Sequence, residues 1–296
     1  MTTIREQLDT FLAAMAHRRR LRPNTVRAYR ADLRLAAGAL PMVLADITVD
    51  AIETWLADAV VAPSTRNRRA ASLGRFFTWA QRQGLCTSNP MVLRDSTPVP
   101  RSLPNPIRSA EHRARLDAAI AQAPQPYRLI FTILRETGMR ASEVLSLNLD
   151  DVQLDVGTEG LRLRATKNGY GRIVVLDPDA MPRTVRGLRA WVRAAGALPS
   201  HVPLFRSNRQ TRVSYRALFH HWQQLCRHAT LVDADGHASY TIHQLRHTRG
   251  TELIEQGVRM EIVQRILGHR DPRSTQGYAE VSDLLVRQAL AAQAQR

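Results

Sequence analysis

The sequence predicts a mainly α-helical protein with a small β-sheet, divided into two domains. Its length of 296 residues exceeds what one compact core usually holds. Helical periodicity dominates both ends of the chain, and strand signals occur only in the second half. The proline-rich segment 96–107 separates the two patterns, since prolines favour extended chain. We therefore expect a helical domain over residues 1–95, a linker over 96–107 and an α+β domain over 108–296.

The first domain is expected to be a small all-helical bundle. Four stretches have apolar residues at helical spacing: residues 4–15, 23–40, 52–56 and 64–84. Pro23 suits the first turn of a helix, and Gly84 suits the residue after the last turn. Basic residues cluster at Arg18–Arg20 and at Arg66–Arg69.

The second domain mixes helices and strands. Two helices, three strands and one turn are indicated in order: helices at 109–122 and 126–137, strands at 152–156, 161–165 and 173–176, and a hairpin turn at Asn168-Gly169. Gly138 is expected to end the second of these helices. From Met181 the pattern is helical to the end, with interruptions at 199–203 and 233–236.

The charge predicts a polyanionic partner. The chain has 42 basic and 26 acidic residues, which leaves a formal charge of +16. No apolar run approaches the roughly 18 to 20 residues that span a bilayer, and the first residues lack the pattern of a signal peptide. Cys86 and Cys226 are too few for a disulfide framework or a thiolate zinc site. We expect nucleic acid rather than a membrane, and a cytoplasmic, nucleoid-associated protein.

Lysine usage is extreme. Lys167 is the only lysine among the 42 basic residues, and it lies at the predicted hairpin turn. Arginine binds phosphate well but holds its proton near neutral pH, whereas lysine can release one. A lone lysine therefore suggests a chemical role, although base composition and chance explain it equally well.

Three short clusters in the second domain carry groups suited to phosphate chemistry. They are residues 137–143 with Arg140, residues 243–247 with His243 and Arg246, and residues 267–269 with His269, followed nine residues later by Tyr278. Each cluster alone is a weak signal, because surface arginines, helical histidine pairs and core tyrosines are common.

The order of the six residues is the stronger signal. Arg, Lys on a hairpin, His-x-x-Arg, Gly-His and Tyr resemble the active site of the tyrosine recombinases, the phage-integrase and Xer family. Segments 23–33 and 64–90 look like the core-binding domain of that family. The resemblance implies an N-terminal core-binding domain and a C-terminal catalytic domain that close as a clamp around double-stranded DNA.

The resemblance also implies site-specific strand exchange through a 3′-phosphotyrosyl intermediate, without metal, cofactor or ATP. The implied partners are DNA with inverted-repeat core sites, further copies of the chain forming a tetramer on two DNA sites, and an accessory or partner recombinase. The biological outcome is integration, excision, resolution or transposition of DNA.

The residue types fit the cleavage of a phosphodiester without metal. Tyr278 is the expected nucleophile, and an ester to tyrosine stores the bond energy for rejoining. Arg140 and Arg246 are expected to hold non-bridging oxygens through charged forks, and His269 to donate one more hydrogen bond.

Two further groups are assigned to proton transfer. Lys167 is the candidate acid for the leaving 5′-oxygen, and His243 is placed to hold or accept a proton. Glu143 is expected to brace an arginine rather than act as a base. His247 has zinc-like spacing to His243, but Gln244 replaces the glutamate of a zincin, so no metal site is assigned.

Two other functions stay open at this point. A non-catalytic DNA-binding regulator explains the charge and the helices but leaves the catalytic order of residues unexplained. A type IB topoisomerase uses a related set of residues, although the compact helical first domain fits recombinases better. A topoisomerase relaxes any supercoiled plasmid, whereas a recombinase needs two defined sites.

Overall fold

The computed structural model describes residues 2–19, 23–58, 60–92, 103–164 and 171–268. The chain forms two compact units, Met1–Arg101 and Ser102–Arg296. The described part is mainly helical with a small sheet, so the predicted fold class is confirmed. No helix in the described ranges is long and apolar enough to cross a membrane. Most of the expected linker lies outside the described residues, and the domain boundaries stay predictions.

The first unit contains the four predicted helices. Their bounds are α1 (Ile4–Arg19), α2 (Pro23–Ala39), α3 (Val49–Asp58) and α4 (Pro63–Arg82). Aromatic side chains fill the core, where the rings of Phe11 and Phe76 meet edge to face at 5.4 Å. Asp32 is 2% exposed and accepts a 2.5 Å bond from Arg68. Burial raises the pKa of the Asp32 carboxyl, and Arg68 opposes that shift.

The second unit surrounds its own core. Its elements in chain order are α5 (Ala110–Gln122), α6 (Tyr127–Thr137), α7 (Ala141–Ser146), β1 (Val152–Gln153), β2 (Gly160–Leu163), β3 (Arg172–Val175), α8 (Pro182–Ala195), α9 (Tyr215–His228), α10 (Ile242–Glu255) and α11 (Met260–Leu267). The three described strands form an antiparallel sheet in the order β1-β2-β3. Phe131 of α6 packs on Trp222 of α9 with ring centroids 5.5 Å apart.

Two sequence predictions for this unit contain more regular secondary structure than the fold has. The strand expected at 152–156 ends at Gln153, because residues 155–158 form a turn with Gly157 at φ +84°. The helical pattern expected from Met181 breaks over 196–214 rather than 199–203 alone. There the chain instead bonds residues 147–149: Leu149 N donates to Val202 O at 3.1 Å, and Leu204 N donates to Leu147 O at 2.9 Å.

The end of α6 fixes how closely it approaches α11. Gly138 ends α6 with φ +66° and ψ +17°, the left-handed conformation that favours glycine. A Cβ at this position would lie 2.6 Å from Cδ2 of Leu267 at the end of α11. The predicted helix stop is therefore confirmed, and the missing side chain also allows α11 to pack against the turn after α6.

Gly138→Ala should destabilise the second unit more than Gly257→Ala. Both glycines have a positive φ, but a Cβ at Gly257 meets nothing within 4 Å. The left-handed backbone costs alanine about 1 kcal/mol at either position, and the collision with Leu267 should add about 1–3 kcal/mol at Gly138. Urea denaturation of the two variants measures the difference. Equal losses would mean that Leu267 moves aside without cost.

Candidate active site

The turn after α6 presents Arg140. Its backbone precedes α7 in an extended conformation, with φ −73° and ψ +142°. Glu143 accepts a 3.0 Å bond from Arg140 N through Oε2 and another 3.0 Å bond from Arg140 Nη1 through Oε1. One carboxylate therefore caps α7 and orients the half-exposed guanidinium. The bracing role predicted for Glu143 is confirmed.

Helix α10 brings His243, Arg246 and His247 onto one face, because residues three and four apart are neighbours on a helix. Arg246 is 2% exposed, and its Nη1 donates to the carbonyl oxygen of Gly138 at 2.8 Å. That carbonyl lies two residues before Arg140. The bond therefore ties the buried arginine of α10 to the turn that presents the exposed one.

The start of α10 is held on both sides. Gln244 Oε1 accepts from Thr241 N at 2.7 Å and closes the first turn of the helix. The residue before, Tyr240, accepts a 2.6 Å bond from Trp222 Nε1 at its carbonyl, and its hydroxyl lies 2.7 Å from His112 Nδ1. Tyr240 thus anchors the start of α10.

The two histidines of α10 lie in a positive field. Their rings meet edge to face with centroids 4.7 Å apart. The protein atoms around His243 remove part of its water and lower its pKa, and Arg246 and Arg140 lower it further. Burial, His243 and Arg246 lower the pKa of His247 to about 4. Both rings are therefore neutral at pH 7, and a neutral imidazole can accept a proton.

Arg172 is a residue of this region that the sequence analysis missed. Its Nη2 donates to Glu143 Oε2 at 3.1 Å, so the carboxylate that orients Arg140 also binds a second arginine. Burial lowers the pKa of the Arg172 guanidinium, Glu143 opposes that shift and Arg140 adds to it. In a chain this rich in arginine, residue type gave no signal. Its position just after the predicted hairpin was the one available clue.

The structure brings together three of the six predicted site residues, Arg140, His243 and Arg246. Lys167, His269 and Tyr278 lie outside the described residues, so their assignments stay predictions. The described chain reaches both sides of the first gap: Leu163 of β2 pairs with Arg172 of β3 in an antiparallel register.

The described residues contain one group of three side chains that are close enough to share a metal ion. These are Asp233, Asp235 and His237, and all three are exposed. His243 and His247 belong to no such group among the described residues. The charged donors at the site are arginines, which bind anions and not cations.

Two family profiles match the chain. The profile of the phage integrase family matches residues 107–284. The profile described as phage integrase, N-terminal SAM-like domain, matches residues 8–84. The first match contains the turn with Arg140 and the whole of α10, and the second covers most of the four-helix unit.

Curated relatives and solved structures are similar over nearly the whole chain. Tyrosine recombinase XerC of Mycobacterium bovis is 30% identical over 302 residues, which cover 95% of this chain and 95% of that protein. Tyrosine recombinase XerD of Yersinia pestis is 27% identical over 292 residues, covering 95% and 94%. A crystal structure of a lambda integrase(75-356) dimer bound to a COC′ core site has a TM-score of 0.72 at 19% identity, covering 94% and 95%. The last similarity is one of fold.

The low pKa of His247 predicts a loss of stability in mild acid. The unfolded histidine takes up a proton near pH 6.5, whereas the folded one does so only near pH 4. Between these values the unfolded state binds more protons, so the free energy of unfolding falls as the pH falls through this window. We expect His247 to account for a loss of about 1–2 kcal/mol at pH 5 relative to pH 7.

Urea denaturation of His247→Gln at the two pH values tests this, because the variant should lose less stability than the wild type. His237→Gln removes an exposed histidine and should behave as the wild type. An unchanged pH dependence in His247→Gln would contradict the assignment.

Proposed function

Because this chain belongs to the phage integrase family and is a tyrosine site-specific recombinase, we propose that Arg140, His243 and Arg246 bind the phosphate that is cleaved. The observation that supports this most is the bond from buried Arg246 to Gly138, two residues before Arg140. This bond brings together the segments that carry the guanidinium groups of Arg140 and Arg246, which are distant in sequence. A phosphate presents paired oxygens that suit such forks.

The burial of Arg246 supports a catalytic use of its charge. Its guanidinium has already lost its water in the folded protein, and the bond to Gly138 fixes one side of its fork. Preorganised donors stabilise developing charge without rearranging during the reaction. The pentacovalent phosphorane carries more negative charge on its oxygens than the substrate does, so these arginines favour the transition state.

The covalent step is assigned to residues outside the described ranges. The Tyr278 oxygen attacks phosphorus, the bond from phosphorus to the 5′-oxygen breaks, and Lys167 gives that oxygen its proton. The product is a 3′-phosphotyrosyl ester and a free 5′-hydroxyl, and attack by a 5′-hydroxyl reverses the step without ATP. His269 donates a further hydrogen bond to the phosphate, and neutral His243 accepts a proton near the tyrosine.

The partner is double-stranded DNA with inverted-repeat core sites. The charge of +16 supports DNA binding, and the lambda integrase structure shows a dimer on a core site. Because strand exchange takes place between two sites, we assign four copies of the chain to it, with an accessory or partner recombinase where the sites require one. The protein acts in the cytoplasm on nucleoid or element DNA.

Topoisomerase and regulator functions are not favoured, since the relatives of nearly equal length are named tyrosine recombinases. The products also differ. A recombinase exchanges partners between two core sites, a topoisomerase only relaxes plasmids, and a regulator leaves every strand intact.

Tyr278→Phe should bind its core site as the wild type does and form no covalent adduct, because only the hydroxyl is lost. The core site is first selected from random duplexes by binding. A nicked suicide duplex then traps the adduct, which should form in the wild type with EDTA present. An adduct in the phenylalanine variant would show that another nucleophile acts.

Lys167→Ala should slow single-turnover cleavage by roughly 10²- to 10⁴-fold, the usual range for a positioned acid. Lys167→Arg should recover little, because arginine keeps the charge but holds its proton. Replacing the bridging 5′-oxygen with sulfur should restore cleavage by the alanine variant, because a thiolate leaves without a proton. The same substrate should not help Tyr278→Phe. If sulfur gives Lys167→Ala no advantage, the lysine is a binding contact and not the acid.

A further inference from the structure

We propose that Arg172 is a positioning residue that connects three segments of the active site, two through its guanidinium and one through its place in the sheet. The segments are the turn with Arg140, the strand β2 that precedes Lys167 in the sequence, and the end of α11 before His269. This inference rests on the proposed function, because it concerns how the phosphate-binding and proton-donating groups are aligned. Nothing in the roles assigned above requires Arg172 to contact DNA.

The first tie runs to Arg140 through Glu143. Arg172 Nη2 donates to Glu143 Oε2 at 3.1 Å, and the same oxygen accepts from Arg140 N at 3.0 Å. The other oxygen holds the Arg140 guanidinium at 3.0 Å. The side chain of Glu143 is only 12% exposed, so its orientation depends on these partners. In the described structure, removing Arg172 leaves the carboxylate its bonds to Arg140 and takes away the bond that links it to β3.

The second tie runs to the end of α11. Arg172 Nη1 lies 3.3 Å from the carbonyl oxygen of Ile266, and Nη2 lies 3.4 Å from that of Leu267. Gly268 follows with φ +67°, and a Cβ there would lie 2.5 Å from Cζ of Arg172. The guanidinium thus packs on the bare backbone of Gly268. The next residue in the sequence is His269.

The third tie is the sheet. Arg172 begins β3 and pairs with Leu163 of β2, and Lys167 lies between these two residues in the sequence. Just after β2, a second arginine bonds to the protein, because Arg164 Nε donates to Asp151 Oδ1 at 2.5 Å. Of these two arginines in the described structure, only Arg172 bonds to Glu143 and to the end of α11.

These contacts favour a positioning role over a DNA contact. The side chain of Arg172 is 19% exposed, and its bonds go to protein oxygens on two segments. The planar fork of arginine can hold a carboxylate and neighbouring carbonyls together, which a lysine ammonium cannot do with the same geometry. A displacement of about 1 Å at an active site can reduce the rate by 10²-fold.

The test compares Arg172→Gln with Arg189→Gln. Arg189 also binds a buried glutamate, Glu159, at 2.9 Å, but it has no bond to Glu143 or α11 in the described structure. We expect Arg172→Gln to reduce single-turnover cleavage by about 10- to 100-fold, with core-site binding and thermal midpoint close to those of Arg189→Gln. Cleavage equal to that of the control overturns the proposal. A loss of binding as large as the loss of cleavage assigns Arg172 to DNA contact and also overturns it.

Two further measurements show whether Arg172 acts through Glu143 and Arg140. In a cycle with Glu143→Gln, the double variant should lose less than the product of the single losses, because both act on Arg140. On the 5′-sulfur substrate the Arg172→Gln defect should shrink but not vanish, since sulfur bypasses only the proton from Lys167 and leaves the alignment of Arg140 impaired. The proposal is overturned if the two single losses multiply in the double variant, or if Arg172→Gln recovers fully on the sulfur substrate. If the proposed function is wrong, the wild type forms its adduct at a residue other than Tyr278. That result is distinct from those above, and the double-variant cycle still tests the role of Arg172.

Discussion

The bond from Arg246 to the carbonyl of Gly138 is the constraint on which the active site depends. A guanidinium that is 2% exposed needs hydrogen-bond acceptors, because leaving a buried charge without them costs several kcal/mol, about 3–5 when a partner is removed. Gly138 supplies one acceptor at 2.8 Å. The left-handed turn at Gly138 then leads directly to Arg140. A single backbone carbonyl thus sets the relation between α10 and α7.

Among the described residues of the site, one carboxylate lies between two arginines. Glu143 binds both Arg140 and Arg172, while Arg246 bonds to a neutral carbonyl. Burial, and to a smaller extent the neighbouring positive charge, lowers the pKa values of His243 and His247, so both rings are neutral at pH 7. An anion entering this region is therefore met by desolvated donors, and its arrival lowers the repulsion among them.

The sequence predicts those features that depend on local spacing. Gly138 is identifiable as a helix stop by residue type, and the spacing of His243 and Arg246 places both on one face of a helix. Arg172 and the Glu143 contact to it depend on the approach of β3 and α11 to α7, which no local pattern records. The break at residues 196–214 was underestimated for the same reason, because its backbone bonds go to residues 147–149.

The central claim is that buried Arg246 serves the phosphate and does not merely support the fold. A core-site duplex with a methylphosphonate at the cleaved position tests it most directly, since a methyl group replaces one charged oxygen. Arg246→Gln should cleave the ordinary phosphate about 10²- to 10³-fold more slowly than the wild type, the range for loss of one preorganised donor. On the methylphosphonate the two proteins should differ by far less. An equal deficit on both substrates would contradict the account and make Arg246 a structural residue.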